Sequence, residues 1–399
     1  MLIGPLSEVD KERLIGFLAD LIRIPSPSTG EEQVAKRLAD EMRSVGFEEV
    51  HIDSIGNVVG HIGPRKGPVL LYDGHMDTVG MGDIRAWTRD PYGANVQDGY
   101  MYGLGAADMK GSLAAMVYGV KALTDAKVEL GGDLYVVGVV QEEPCEGLAI
   151  STFLEKEGLR PDYVVVGEAT EMQIARGQRG RMELKVTTQG HSAHAAMPER
   201  GVNAIHAAAR IIVGIELLAL DLDEDPVLGK GSITVTHIES QSRSRNAVPE
   251  SCSLYIDRRL TSNETEARVL TEIRRLIGRE GVKADVEVTE YLATSYTGYP
   301  CRARQYYPAW VTPENHFLVQ RAIATVEEVL GYRPKVGHWR FSTDGVYTAG
   351  VAGIPTIGFG PGDERFAHAP DERIRIQDVV DAAQVYAQLA VNILGTVQP

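Results

Sequence analysis

The spacing of hydrophobic and polar positions divides the chain into helices and strands. Apolar residues that recur every three or four positions predict amphipathic helices, whereas short apolar or alternating runs predict strands. Helices are predicted over residues 7–22, 31–45, 112–123, 150–158, 202–218, 264–279, 314–330 and 376–394. Strands are predicted over residues 49–53, 58–62, 69–72, 133–140, 163–166, 181–189, 232–238, 253–260, 284–291 and 355–359. The mixture is typical of an α/β fold.

The middle of the chain follows a separate order. From residue 181 to residue 291 the predicted elements run β-α-β-β-α-β, the order of a ferredoxin-like unit. We therefore predict a discontinuous α/β domain over residues 1–179 and 295–399, built on a mixed sheet with helices on both faces. An α+β ferredoxin-like domain, residues 180–294, would be inserted into it.

Composition and charge limit the classes of partner. The 399 residues are 44% hydrophobic and 24% charged, and the formal net charge is -15. Such an acidic chain is a poor partner for nucleic acid or an anionic membrane. Its apolar runs are all shorter than the ~20 residues that a membrane span requires. We expect neither nucleic-acid binding nor membrane insertion.

The N-terminus and the cysteines bear on the compartment. The first residues lack the basic region and apolar core of a signal peptide. Cys145, Cys252 and Cys301 are far apart and form no C-x-x-C pair, so neither a disulfide framework nor a thiolate zinc site is indicated. These features predict a cytoplasmic location.

Polar side chains follow most of the buried strands or the loops next to them. They are His75, Asp77, Asp108, Glu142, Glu143, Glu168 and His368. The carboxyl ends of parallel strands share one edge of a sheet, where active sites of α/β proteins lie. Each residue taken alone would more often be structural, but together they predict one site.

So many carboxylates at one edge would be unstable without cations. Two divalent metals about 3.5–4 Å apart would neutralise them and would form a known hydrolytic device. Mixed imidazole and carboxylate ligation suits zinc, with cobalt or manganese as substitutes. The prediction is two Zn²⁺ ions per subunit.

Several motifs resemble one family of hydrolases over nearly the whole chain. They are G-H-M-D-T-V from residue 74, G-L-G-A-A-D-M-K-G from residue 103, Q-E-E from residue 141, V-G-E from residue 166 and H-A-P-D-E from residue 368. The chain resembles the acetylornithine deacetylase, succinyl-diaminopimelate desuccinylase and carboxypeptidase family of dizinc hydrolases. The run from residue 341 to residue 362 is similar to a subgroup described as selenium-metabolism hydrolases. The resemblance implies a zinc exopeptidase-like catalytic domain.

The resemblance also implies a set of metal ligands. His75 and Glu168 would bind one metal, and His368 and Glu143 would bind the other. Asp108 would bridge both metals. A cis peptide bond would follow this aspartate.

Two further acidic residues take catalytic roles by the same resemblance. Asp77 would orient His75 through its ring N–H. Glu142 would be the general base, taking a proton from the metal-bridging water and passing one to the leaving amine.

The inserted domain would pair two subunits and contribute to the substrate site. His194 would enter the partner's site and stabilise the oxyanion, although His191 lies only three residues away. Asn246 and Arg259 would hold a substrate carboxylate. Asn246 would otherwise cap a turn, and Arg259 would otherwise be an ordinary ion-pair partner.

The chain departs from the family pattern at three places, and the third of them concerns substrate contacts. Leu104 replaces a usual arginine, and Ala169 replaces a usual proline. The family's Gly-rich segment is W-R-F-S-T-D here, residues 339–344, with bulkier residues. None of these changes removes a predicted metal ligand.

The predicted function is a two-metal amidohydrolase. It would cleave a small N-acyl amino acid or a dipeptide-like substrate with a free carboxylate, and it would act as a homodimer. The alternatives are a dipeptidase or carboxypeptidase of the same family and a catalytically silent binder of an amino-acid derivative. A two-metal phosphoesterase is disfavoured by the acidic surroundings.

Overall fold

The structure is a computed structural model that describes residues 2–397. Its helices are α1 Glu8–Arg23, α2 Glu32–Val45, α3 Gly111–Asp125, α4 Leu148–Glu157, α5 Ala204–Leu220, α6 Glu266–Arg279, α7 Phe317–Leu330, α8 Gly345–Thr348 and α9 Ile376–Leu394. Its longer strands are β1 Glu49–Ile52, β2 Val58–Ile62, β3 Val69–His75, β6 Asp133–Val139, β7 Tyr163–Val166, β8 Ile174–Gln178, β9 Gly180–Gln189, β12 Ser232–Gln241, β13 Ser251–Leu260, β14 Ala284–Val288, β15 Glu290–Thr294, β16 Pro300–Arg304 and β19 Val336–Trp339. The short strands are β4 Asn95–Gln97, β5 Tyr100–Tyr102, β10 Glu224–Asp225, β11 Gly229–Lys230, β17 Tyr306–Tyr307, β18 Trp310–Val311, β20 Thr356–Gly358 and β21 Arg373–Arg375.

The main sheet is mixed, with the strand order β1-β2-β6-β3-β7-β20-β8-β18 and with β19 paired to β8. Strands β6, β3, β7 and β20 form a central run of mutually parallel strands. Strand β2 pairs antiparallel with β6, and β8 pairs antiparallel with β20. Strands β1 and β18 pair antiparallel at the two ends. Helices pack against the sheet, for example α2 on β2 and α3 on β3. The predicted α/β class with a mixed sheet is confirmed.

Register places the ends of the parallel strands side by side. His75 at the end of β3 pairs with Val139 at the end of β6, and Asp73 pairs with Val166 at the end of β7. Gly358 at the end of β20 also pairs with Val166. The loops that leave these strands therefore start from one edge of the sheet.

Local sequence signals explain several helix ends. The Ser7 side chain accepts a hydrogen bond from the backbone N–H of Asp10 and caps α1, as the sequence predicts. Helix α2 ends at Gly46, whose φ of 100° lies in the left-handed region that glycine adopts without steric penalty.

The inserted stretch forms a sheet of its own, with the order β12-β13-β9-β14 and antiparallel pairing throughout. This is the strand order of a ferredoxin-like unit, because the first and third of its strands are the central pair. Helices α5 and α6 pack together beside this sheet. Its apolar core, from Met182 to Val288, is a separate cluster from the core of the main sheet.

Several predicted bounds shift by one to three residues, strands β8, β16 and β19 lie where none was predicted, and two predicted strands differ in other ways. The strand predicted to stop at Tyr72 continues to His75, because the next two residues are buried and paired. Asp73 pairs with both β6 and β7, and Gly74 pairs with β6. The strand predicted over residues 284–291 is divided into β14 and β15. Among residues 2–397, the helices are too short or too polar to cross a membrane.

Candidate metal centre

The bridging aspartate predicted from the sequence lies between the two predicted histidines. Asp108 Oδ1 is 2.9 Å from His75 Nε2, and Asp108 Oδ2 is 3.3 Å from His368 Nε2. His75 comes from the end of β3, whereas Asp108 comes from the turn before α3. The peptide bond between Asp108 and Met109 is cis, which confirms that expectation.

The other predicted ligands complete two groups around this aspartate. Glu168 Oε1 is 3.5 Å from His75 Nε2, and Glu143 Oε2 is 2.9 Å from His368 Nε2. Donor atoms of a tetrahedral zinc ion, with bonds of about 2.0–2.1 Å, stand roughly 3.3 Å apart. The spacing of these donor atoms therefore fits metal ligation.

Two sets of side chains have donor atoms within 4.8 Å of one another. One set is His75, Asp108 and Glu143, and the other is His75, Glu142 and Glu168. Imidazole with carboxylate oxygen is a donor set that suits zinc. The second set shows that Glu142, the predicted base, also reaches the metal-binding region.

Buried charge is the main electrostatic feature of the centre. Burial raises the pKa of Glu168 well above its usual range, and the charge of Asp108 raises it further. Burial also raises the pKa of Glu142, whose Oε1 has no hydrogen-bond partner among residues 2–397. Burial lowers the pKa of His75, but Asp108 and Glu168 outweigh this effect and leave it raised. A carboxylate cluster of this kind favours bound cations.

Asp77 lies beside His75, but its carboxylate has other partners. The His75 Nδ1 is 2.9 Å from the Asp77 backbone carbonyl and 3.7 Å from Asp77 Oδ1. The carboxylate accepts hydrogen bonds from the backbone N–H groups of Glu142 and Glu143 and from the Ser28 hydroxyl. Asp77 therefore fixes both the His75 ring and the loop that carries Glu142.

A cavity of about 280 Å³ opens on the centre. It is lined by Asp108, Glu142, Glu143, Glu146, Glu168, Ala169, Arg181, Arg259, Phe341, Ser342, Glu364, Ala367 and His368. Arg259, predicted to bind substrate, is therefore brought to the metal ligands. Its guanidinium forms a two-point ion pair with Asp257, at 2.8 and 3.1 Å.

His194 and Asn246 lie close together in two loops beside the inserted sheet, one after β9 and the other between β12 and β13, and both are exposed. His194 bridges to Ala247, and the Asn246 carbonyl accepts a hydrogen bond from the Ala195 N–H. Neither side chain is placed in the metal cavity of its own chain.

Three site residues carry no role in the sequence prediction. Glu146 and Arg181 line the cavity, and Glu372 accepts hydrogen bonds from the turn that holds Asp108. The only signal that the sequence offered for these three residues was their position near other predicted features. Glu146 follows Glu143 by three residues, Arg181 starts an alternating strand, and Glu372 follows His368 by four.

The sequence profile of peptidase family M20/M25/M40 matches residues 71–392. The chain belongs to this family. It is 43% identical to protein YgeY of Escherichia coli strain K12 over 381 residues, which are 95% of this chain and 94% of that protein. It is 26% identical to the succinyl-diaminopimelate desuccinylase of Thioalkalivibrio sulfidiphilus over 386 residues, which are 94% of this chain and 97% of that enzyme.

Solved structures of M20-type fold are similar over the whole length. The aminopeptidase PepT from Bacillus cereus matches with a TM-score of 0.74 and 22% identity, covering 96% of this chain and 98% of its own. The carboxypeptidase Sso-CP2 from Sulfolobus solfataricus matches with a TM-score of 0.73 and 20% identity, covering 96% and 99%. The family resemblance is thus confirmed, and the M20 chain is a metal-dependent hydrolase of amide or peptide bonds with a dinuclear centre.

Proposed function

We propose that this M20 hydrolase cleaves the amide bond of a small N-acyl amino acid or dipeptide-like substrate that carries a free carboxylate. The observation that carries the proposal is Asp108, which directs one carboxylate oxygen to His75 and the other to His368 beside a small cavity. A dipeptidase or carboxypeptidase would use the same centre, and a silent binder would need only the cavity.

The residues that would hold the two metals are His75 with Glu168 and His368 with Glu143, with Asp108 between them. Zinc suits this donor set, and cobalt or manganese would substitute. Bound there, two divalent ions would polarise the substrate carbonyl and lower the pKa of a water molecule.

Glu142 is the proposed general base. It is buried, and its raised pKa, caused first by burial, suits a group that accepts a proton and later donates it. Glu142 would take the proton of the attacking water and return it to the nitrogen of the leaving amine. Asp77 would keep it in place through the Glu142 backbone N–H, at 3.1 Å from Asp77 Oδ1.

Arg259 is the proposed ligand for the substrate carboxylate. Its side chain lines the cavity and is held in position by Asp257. A guanidinium fixed in this way loses little conformational freedom when it binds a second carboxylate.

We also propose the domain division at residues 180–294 and a homodimer formed through the inserted part. Two separate apolar cores support the division. The exposed edge strand β12 and the apolar side chains of Val213, Leu217 and Leu220 on α5, all more than half exposed, support pairing. His194 and Asn246 would then reach the partner's cavity, where they would contact the oxyanion and the substrate.

A cytoplasmic location remains the proposal for the compartment. Cys145, Cys252 and Cys301 are all free thiols and all buried. Free cysteines are typical of reducing compartments.

The test of the function is release of free amine from a panel of N-acyl amino acids and dipeptides. The zinc-loaded protein should turn over members of the panel, chelation should stop it, and Glu142→Gln should lose activity with its zinc retained. Metal binding without any turnover would reject the hydrolase proposal for this substrate class and favour a silent binder.

A further inference from the structure

One wall of the metal cavity is formed by three residues from separate segments, and we name it the Glu146 wall. It consists of Glu146 from the loop after β6, Arg181 from β9 and Ser342 from the segment after β19. The same cavity holds the metal ligands, so a substrate bound there lies next to this wall.

Glu146 is fixed through both of its carboxylate oxygens. Oε1 accepts a hydrogen bond from the Ser342 hydroxyl at 2.5 Å, and Oε2 accepts one from Arg181 Nη2 at 2.7 Å. The side chain is buried. The carboxylate therefore stays at the cavity surface and does not rotate towards solvent.

Arg181 is already neutralised by its neighbours. Its Nη1 donates to Glu183 at 2.7 Å, opposite the bond to Glu146, and its guanidinium lies 4.8 Å from the centre of the Tyr307 ring. Two carboxylates thus share one guanidinium, which leaves a net charge of about -1 on the three groups. The Nε atom is buried and has no hydrogen-bond partner among residues 2–397.

The charges of the remaining lining residues do not favour a further anion. The cavity is lined by the carboxylates of Asp108, Glu142, Glu143, Glu146, Glu168 and Glu364. Its two arginines are both paired, Arg181 as described and Arg259 with Asp257. Two divalent cations would offset the charge of the metal ligands. They would not offset the charge of Glu146, which forms its ion pair with Arg181.

We propose that the Glu146 wall selects substrates whose part facing it is polar but uncharged, and that it rejects a second carboxylate there. The Glu146 carboxylate would accept a hydrogen bond from a substrate N–H or O–H, such as the N–H of an amide. A carboxylate in this place would meet Glu146 at close range, and juxtaposed like charges weaken binding strongly.

This inference rests on the proposed amidohydrolase function and specifies its substrate class. It is tested with two matched pairs, N-acetyl against N-succinyl derivatives of one amino acid, and N-acetylglutamine against N-acetylglutamate. For the pair whose variable group reaches the wall, the wild type should favour the uncharged member by about tenfold in kcat/KM. Glu146→Gln should reduce that ratio to about threefold or less.

Glu183→Gln is the matched control variant. Glu183 contacts the same guanidinium at the same 2.7 Å, but its side chain lines a different cavity on the inserted sheet. The control therefore removes the same charge from Arg181 without changing the carboxylate that faces the substrate. We expect it to change the ratio by less than half as much as Glu146→Gln, on a logarithmic scale.

The outcomes separate the inference from the function on which it rests. Equal or faster turnover of the charged member in both pairs overturns the inference but leaves the amidohydrolase function intact. This comparison uses only the wild-type protein, so it is valid even if Glu146→Gln does not fold. If no pair is turned over, the proposed function fails. In that case the selectivity of the Glu146 wall is tested by calorimetric binding of succinate and of its half-amide to the zinc-loaded protein. We expect the half-amide to bind more tightly, and tighter binding of succinate would contradict the proposed selectivity.

Discussion

Glu372 connects the two loops that carry predicted metal ligands, and its loss should weaken both folding and metal binding. Its Oε2 accepts the N–H of Gly105 at 2.9 Å, and its Oε1 accepts the N–H groups of Ala107 at 2.8 Å and Asp108 at 3.0 Å. The side chain is 1% exposed and lies four residues after His368. One carboxylate therefore fixes the turn of Asp108 relative to the segment of His368.

The magnitude follows from the three backbone donors. Glu372→Ala leaves two buried N–H groups and one half-buried N–H group without an acceptor, each worth about 1–3 kcal/mol when unsatisfied. Water that enters the space would recover part of this loss, so we expect a decrease of about 3–5 kcal/mol in the free energy of unfolding. Glu372→Gln keeps one acceptor oxygen and should lose about half as much. Displacement of the Asp108 turn should also weaken zinc binding by about 10–100-fold.

The assay has two readouts, urea unfolding of the metal-free protein and zinc affinity by competition with a chelator. Asp371→Ala is the matched control, because Asp371 is the adjacent acidic residue and also accepts two backbone N–H groups, those of Thr88 and Arg89, but in a more exposed position. The reasoning is refuted if Glu372→Ala unfolds no more easily than Asp371→Ala, or if it binds zinc as tightly as the wild type.

Three other results are expected. Glu142→Gln should lower kcat by about 10²–10⁴-fold with unchanged zinc content by mass spectrometry, and a smaller loss would reject Glu142 as the base. Zinc at 100 times its Kd should stabilise the protein by about 2.7 kcal/mol in thermal unfolding, reversibly with chelator, and an unchanged melting temperature would contradict a resident metal. Burial, together with the charge of Asp77, raises the pKa of Glu31 to about 7 from 4.5, so its folded form holds a proton more firmly than its unfolded form. The contribution of Glu31 to stability is then greatest below pH 4.5 and falls by about 3 kcal/mol as pH rises from 4.5 through 7. In urea titrations Glu31→Gln should lack this part of the pH dependence, and parallel curves for both proteins would disprove it.

The parts of the site that follow a strand could be predicted from the sequence. A buried apolar run that leads to a polar residue locates both the strand and its edge, as for His75 at the end of β3 and Glu168 after β7. The extra length of β3 was not predictable from local pattern, because Asp73 and Gly74 are residues that commonly occur in turns. Their place in the strand depends on pairing with β6 and β7, which are distant in the sequence.

Residues whose role depends on a distant partner were missed for the same physical reason. Glu372 acts on a turn that lies 264 residues earlier, and Glu146 acts through Arg181, 35 residues later. Neither contact has a periodic signature, since side-chain hydrogen bonds between loops follow from tertiary packing and not from the order of residues. The roles of His194 and Asn246 stay predictions, because they depend on a second subunit.

The loop after β6 gives a physical reason why chemistry and selectivity belong together in this chain. Within five residues it carries the proposed base Glu142, the proposed ligand Glu143 and the wall residue Glu146. Asp77 accepts the backbone N–H groups of the first two, and Asp344 accepts the N–H of Gly147 at 2.6 Å, so the loop is held at both ends. A displacement of one acidic side chain would therefore move the others with it. Substitutions at Glu146 should accordingly be charge-only changes, such as glutamine, if selectivity is to change while the position of Glu142 is retained.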